Sequence, residues 1–136
     1  MRIKAVIAYD GTAYSGFQIQ KNAPTIQAEV EEVLGKLTGE PIRILGAGRT
    51  DAGVHAEGQV IAFDTSWRHS LSDLQRGMNA LLSDQIAVFE LSGVEQAFHP
   101  RFDAVRRWYR YTIYQSAVPH PMVIRYSLRV TRDLDI

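Results

Sequence analysis

Apolar positions along the chain switch between a period of two and a period near 3.6, and the switches divide it into elements. Ile3-Lys4-Ala5-Val6-Ile7-Ala8-Tyr9 is rich in β-branched residues and stops at Asp10-Gly11, a strong turn pair, so it reads as a buried first strand. A loop bearing glycine and tyrosine runs on to Pro24. Thr25 is placed to N-cap a helix in which Ile26, Val30, Val33, Leu34 and Leu37 form one apolar stripe, ending near Gly39. Ile42 to Leu45 reads as a short second strand. After a glycine-rich segment, Gln59-Val60-Ile61-Ala62-Phe63 reads as a third, closed by Asp64-Thr65-Ser66. Ser70 with Asp73 three residues on resembles a capping box, and Leu71, Leu74, Met78, Leu81 and Leu82 then line one face of a second helix. Ile86 to Leu91 supplies a fourth strand.

The resulting order, β-α-β-β-α-β, predicts an α+β fold. It is the ferredoxin-like unit, in which two helices cover one face of an antiparallel sheet and leave the other face free. Beyond it, Trp108 to Tyr114 sets Tyr109, Tyr111 and Ile113 against Trp108, Arg110, Thr112 and Tyr114, which predicts a fifth strand extending the fold. A short strand is also expected at Tyr126 to Val130. The order divides the chain into a ferredoxin-like subdomain carrying the glycine-rich loop over 1–100 and a continuing region over 101–136. Nothing like a terminating element follows Asp133-Leu134-Asp135-Ile136, so the chain reads as stopping inside a longer protein.

Length and composition narrow the class. With 136 residues, 46% of them hydrophobic, the chain has the apolar content for one domain with a real core. The apolar stretch Ala5 to Tyr9 is too short for a signal peptide, and no later run approaches membrane-spanning length, so the default reading is a cytoplasmic protein with no membrane partner. The absence of cysteine excludes disulfides, thiolate metal sites and thiol nucleophiles. Fifteen basic and fifteen acidic residues balance overall, yet unevenly. Residues 1–95 carry eight Lys/Arg against twelve Asp/Glu, while residues 96–136 carry seven Arg against three Asp, which concentrates basic surface in the last third.

The densest cluster of unusual residues is Gly46-Ala47-Gly48-Arg49-Thr50-Asp51-Ala52-Gly53-Val54-His55. Its glycines allow positive φ and close ligand approach, as a binding loop requires. If its middle is extended, the period of two sets the Arg49 guanidinium beside the Asp51 carboxylate, keeping that acid ionised as a nucleophile or base. Spacing alone favours the plainer alternative, a structural Arg–Asp ion pair on an ordinary glycine-rich turn. His55 and His99 lack a third ligand at sensible spacing, so they read as loop or hydrogen-bonding histidines with no metal between them.

Gly48-Arg49-Thr50-Asp51-Ala52-Gly53-Val54-His55-Ala56 closely resembles the signature of the tRNA pseudouridine synthase A family. Around it, in the family's order, stand Tyr9-Asp10-Gly11-Thr12, Gly16-Phe17-Gln18, Thr25-Ile26-Gln27, Phe98-His99-Pro100-Arg101-Phe102 and Arg107-Trp108-Tyr109-Arg110-Tyr111, the last similar to an Arg-x-Tyr-x-Tyr motif. Phe17 stands where tryptophan is common, and Trp108 falls at a variable position. The resemblance covers about the first half of a family member. It implies an isomerase that converts uridine to pseudouridine at positions 38 to 40 of the tRNA anticodon arm, without metal or organic cofactor.

In such an enzyme Asp51 is the catalytic carboxylate, attacking either the ribose or C6 of the base. The target nucleotide leaves the stack to reach it. Arg49 fills the vacated space or holds phosphate, and Tyr109 stacks on the everted uracil. Arg101, Arg106, Arg107 and Arg110 are candidates for tRNA phosphate, or equally a solvated strand edge. A homodimer holding tRNA across both subunits is inherited by analogy. Two other readings stay open: a noncatalytic RNA-binding or interaction module of the same fold, and a small ferredoxin-like hydrolase or ligand-binding domain that uses the loop as an anion nest.

Overall fold

The computed structural model describes residues 1–135, so Ile136, the last residue of the expected unfinished end, lies outside the described residues. The chain divides into two compact units, Met1–Ala104 and Val105–Ile136.

The first unit is an antiparallel sheet with two helices. β1 (Arg2–Tyr9) is central, paired with β3 (Ala56–Asp64) on one side and β4 (Ile86–Val94) on the other, and β2 (Leu45–Gly46) lies beyond β3. Burial alternates strictly along β1, with Ile3, Ala5, Ile7 and Tyr9 facing inward, as period-two patterning demands. The ferredoxin-like order expected from the sequence is therefore the observed one.

Both helices end where their caps dictate. α1 (Ile26–Thr38) begins with the Thr25 side chain accepting from the Ala28 N–H, and it stops at Gly39, whose φ of 73° is the left-handed C-cap conformation. α2 (Leu71–Leu81) begins with Ser70 accepting from the Asp73 N–H. Ile26, Val30, Val33 and Leu34 of α1 join Leu74 and Met78 of α2 and Ile3, Ile7, Ile61, Phe63 and Val88 of the sheet in one core. Each such side chain contributes about 1.5–3 kcal/mol of hydrophobic stabilisation. Leu81, expected on the buried stripe, is 50% exposed, because α2 terminates there. Leu82 leaves the helix with ψ 149° and turns inward in its place.

The second strand is shorter than the run Ile42 to Leu45 implies. Ile42 and Ile44 are buried, yet only Leu45 and Gly46 pair with β3. Because the Ala47 N–H donates to Val60, the alternation of an antiparallel ladder turns the Ile44 N–H to the outer edge of β2, where the Glu31 carboxylate accepts it at 3.0 Å.

In the second unit, β5 (Ile113–Gln115) and β6 (Leu128–Val130) form a separate two-stranded parallel sheet. The fifth strand thus covers 113–115 and does not extend the four-stranded sheet, while residues 108–112 form no ladder. Their alternation is real, but a strand needs a partner with free backbone groups as well as a pattern. No described residue from Val105 onward is buried, in keeping with a unit too short to enclose a core of its own.

Candidate active site

The glycine-rich loop leaves β2 at Gly46 and enters β3 at Ala56. It has almost no secondary structure of its own, so its shape is set by what grips it. At its start, the Ala47 N–H donates to the Val60 carbonyl at 2.9 Å, and the nearly buried Gln59 amide donates to the Gly48 carbonyl at 2.8 Å.

Its centre is held from the N-terminal segment. The Phe17 N–H donates to the Thr50 carbonyl at 3.0 Å, and the Tyr9 and Thr50 hydroxyls share a hydrogen bond of 2.7 Å. Tyr9 pairs in register with Ala56, the first residue after the loop, which brings the end of β1 beneath it. Gly16, at φ 89°, passes so close that a Cβ there would lie 2.9 Å from the Thr50 carbonyl oxygen. Only glycine accepts both the backbone conformation and the approach.

Past Asp51 the chain turns tightly. The Val54 N–H donates to the Asp51 carbonyl at 3.1 Å, and Gly53 at φ 80° supplies the positive φ that this turn requires. At the loop's exit, His55 Nδ1 accepts the Gly11 N–H at 2.9 Å. Asp10 Oδ1 lies 3.2 Å from the same nitrogen and accepts from the Thr12 N–H and hydroxyl. The one nitrogen thus faces a donor and a carboxylate: a bare Nδ1 accepts from Gly11, whereas a hydrogen on Nδ1 would be donated to Asp10.

Asp51 is therefore fixed through its backbone on both sides, while its side chain is exposed. Arg49 is exposed as well. The Arg49–Asp51 ion pair expected from the spacing is not formed, although the described residues form others, among them Arg2–Asp64, Lys36–Glu32, Arg43–Glu31 and Arg76–Asp73. Residues 48–51 belong to no strand, so no ladder imposes the strand-like period on which that expectation stood. The site offers an open carboxylate on a backbone that other elements hold still.

Of the other candidates, Arg101 belongs to the first unit, with its guanidinium 5.8 Å from the ring centroid of Phe102. Tyr109, Arg107 and Arg110 belong to the second unit and are exposed. The resolved shifts in titration belong to other contacts. The Arg2 hydrogen bonds hold Asp64 below the usual carboxylate range, and bonds from Thr65 and Ser66 do the same for Glu40. The supporting roles of Tyr9, Gly11 and Phe17 were not assigned from sequence. Their motifs were visible, but which loop they would touch depends on the pairing of β1 with β3.

A four-stranded antiparallel sheet in ferredoxin-like order with two helices is the arrangement expected of the N-terminal half of a pseudouridine synthase fold. Comparison with known proteins identifies the family within that class. The family described as tRNA pseudouridine synthase matches residues 5–103, and the chain belongs to it. It is 46% identical over 136 residues to the tRNA pseudouridine synthase A of Moorella thermoacetica, covering 98% of this chain and 55% of that protein. It is 44% identical over 135 residues to the enzyme of the same name from an Exiguobacterium species, covering 99% and 54%. With that of Borrelia turicatae it shares 48% identity over 120 residues, covering 88% and 49%. The chain thus spans about half the length of these curated relatives. Among the described residues no helix is long and apolar enough to cross a membrane.

Proposed function

We propose that this chain carries the catalytic half of a tRNA pseudouridine synthase acting at positions 38 to 40 of the anticodon arm, with Asp51 as the reacting carboxylate. The observation that supports this most directly is the exposure of Asp51 on a loop tied down through the backbone and hydroxyl of Thr50, the Val54 amide and the His55 ring. A nucleophile or base gains from being held in place before substrate arrives, since fixed geometry removes orientational entropy from the reaction step. The reaction is an isomerisation. The N1–C1′ bond of uridine breaks, the uracil turns within the pocket, and a C5–C1′ bond forms. C5 releases its proton and N1 finishes protonated, so no co-reactant is consumed.

The uridine is extruded from the stacked arm to reach Asp51. Arg49, two residues away on the same exposed loop, occupies the vacated stack or holds the adjacent phosphate. Tyr109 stacks on the everted base, an interaction worth about 1–3 kcal/mol. Arg101, Arg107 and Arg110 contact tRNA phosphates. The working enzyme is a cytoplasmic homodimer.

The test is pseudouridine mapping in tRNA incubated with the purified chain, with Asp51→Asn alongside. Product from the chain and a loss of about 10³-fold or more in Asp51→Asn, with tRNA binding retained, is the expected result. A second reading, a noncatalytic tRNA-binding module, draws on the chain's spanning about half of its relatives. Binding without product from the unsubstituted chain would favour it.

A further inference from the structure

We propose that Tyr9 is a positioning residue for Asp51, acting through the Thr50 hydroxyl. The proposal rests on the functional reading above and adds a residue to it. Tyr9 ends β1 with its ring 4% exposed in the core, 6.3 Å from the Phe17 ring. The hydroxyl of this anchored ring meets Thr50 Oγ1 at 2.7 Å. Thr50 immediately precedes Asp51, and its carbonyl is already held by the Phe17 N–H.

Two bonds on adjoining groups of one residue define both its place and its rotation, which a single bond would not. The Asp51 side chain joins none of the ion pairs of the described residues, so its direction is inherited from the backbone on either side. Val54 secures the following side through the turn. Tyr9 and Phe17 secure the preceding one. Tyr9 suits this task because a tyrosine spends little conformational freedom on reaching out, having two side-chain torsions already fixed by core packing.

The experiment uses the full chain with tRNA and the variants Tyr9→Phe, Thr50→Val and Thr50→Ser. Tyr9→Phe keeps the buried ring and removes only the oxygen. Tyr9→Phe and Thr50→Val are expected to lower kcat at saturating tRNA about 10- to 100-fold, the scale of a small misplacement of a reacting group. KM and tRNA affinity should stay close to those of the unsubstituted chain, with Tm lowered by no more than the loss of one hydrogen bond accounts for. Thr50→Ser, which keeps the hydroxyl, should restore most of the rate, and the Tyr9→Phe/Thr50→Val double variant should be no slower than either single one. A Tyr9→Phe variant with unaltered kcat, or one whose loss follows lost affinity or Tm, overturns the proposal.

If the unsubstituted chain makes no pseudouridine, that failure belongs to the functional reading, and amide hydrogen exchange decides the positioning. Tyr9→Phe must then speed exchange at the Phe17 and Val54 amides, whose bonds end on Thr50 and Asp51, while β1 and β4 amides keep their protection. Unchanged exchange at those two amides overturns it.

Discussion

A Cβ placed on Gly11 would sit 2.1 Å from the carbonyl oxygen of Val54, far inside any real contact distance. The turn that follows β1 and the exit of the Asp51 loop are thus in backbone contact, and the same Gly11 gives its N–H to His55. Gly11→Ala is expected to force the loop away from the N-terminal turn. Its cost should be about 1–3 kcal/mol, typical of overpacking, seen as a lowered Tm by thermal melting. Modification should fall further than stability alone accounts for, because the displaced segment carries Asp51. An alanine variant with unaltered Tm and rate would contradict the contact.

Arg49→Ala separates chemistry from docking. The guanidinium is exposed and joins none of the ion pairs of the described residues, so stability should change by no more than about 0.5 kcal/mol. Pseudouridine formation should fall about 10-fold or more while tRNA affinity, read by filter binding, falls by less. The reverse ordering would assign Arg49 to docking alone.

Alkaline stability should depend on Tyr14. Burial, and then its hydrogen bond to Glu29, push this hydroxyl from 10.0 up to about 12. Below pH 10.0 the folded and unfolded chains both hold the proton, so the contribution is fully present. Between 10.0 and about 12 the unfolded chain ionises first, and stability is lost as pH rises through that window. Tyr14→Phe cannot ionise, so its urea midpoint should decline less steeply across that window. At neutral pH it should be the less stable protein, having lost the bonds to Glu29 and Ser83. Parallel curves for the two proteins would contradict this account.

Salt dependence tests the basic last third. If Arg107 and Arg110 hold phosphate, replacing either by alanine should weaken tRNA binding evenly across tRNA sequences. Each replacement should also reduce the slope of log affinity against log salt by about 0.7–0.9. An unaltered slope would return these arginines to the alternative of a solvated edge.

Much of this molecule is legible one segment at a time. The two caps, Thr25 and Ser70, the stop at Gly39 and the buried face of β1 follow from neighbouring residues, because capping and alternation are local physics. The alternation through Trp108 to Tyr114 was equally clear and yet predicted a longer strand than exists. Trp108 itself is 84% exposed, because a ladder depends on a partner that local pattern does not name.

The sequence by itself determined the ferredoxin-like order, the glycine hinge and the presence of Asp51 between Thr50 and Ala52. Only the tertiary structure decided that Glu31 would take the outward Ile44 N–H, that Arg49 and Asp51 would form no ion pair, and that Tyr9, Gly11 and Phe17 would hold the loop. The physical reason is sequence separation. Tyr9 and Thr50 lie 41 residues apart, and nothing in either neighbourhood encodes the contact until β1 and β3 pair and carry them together.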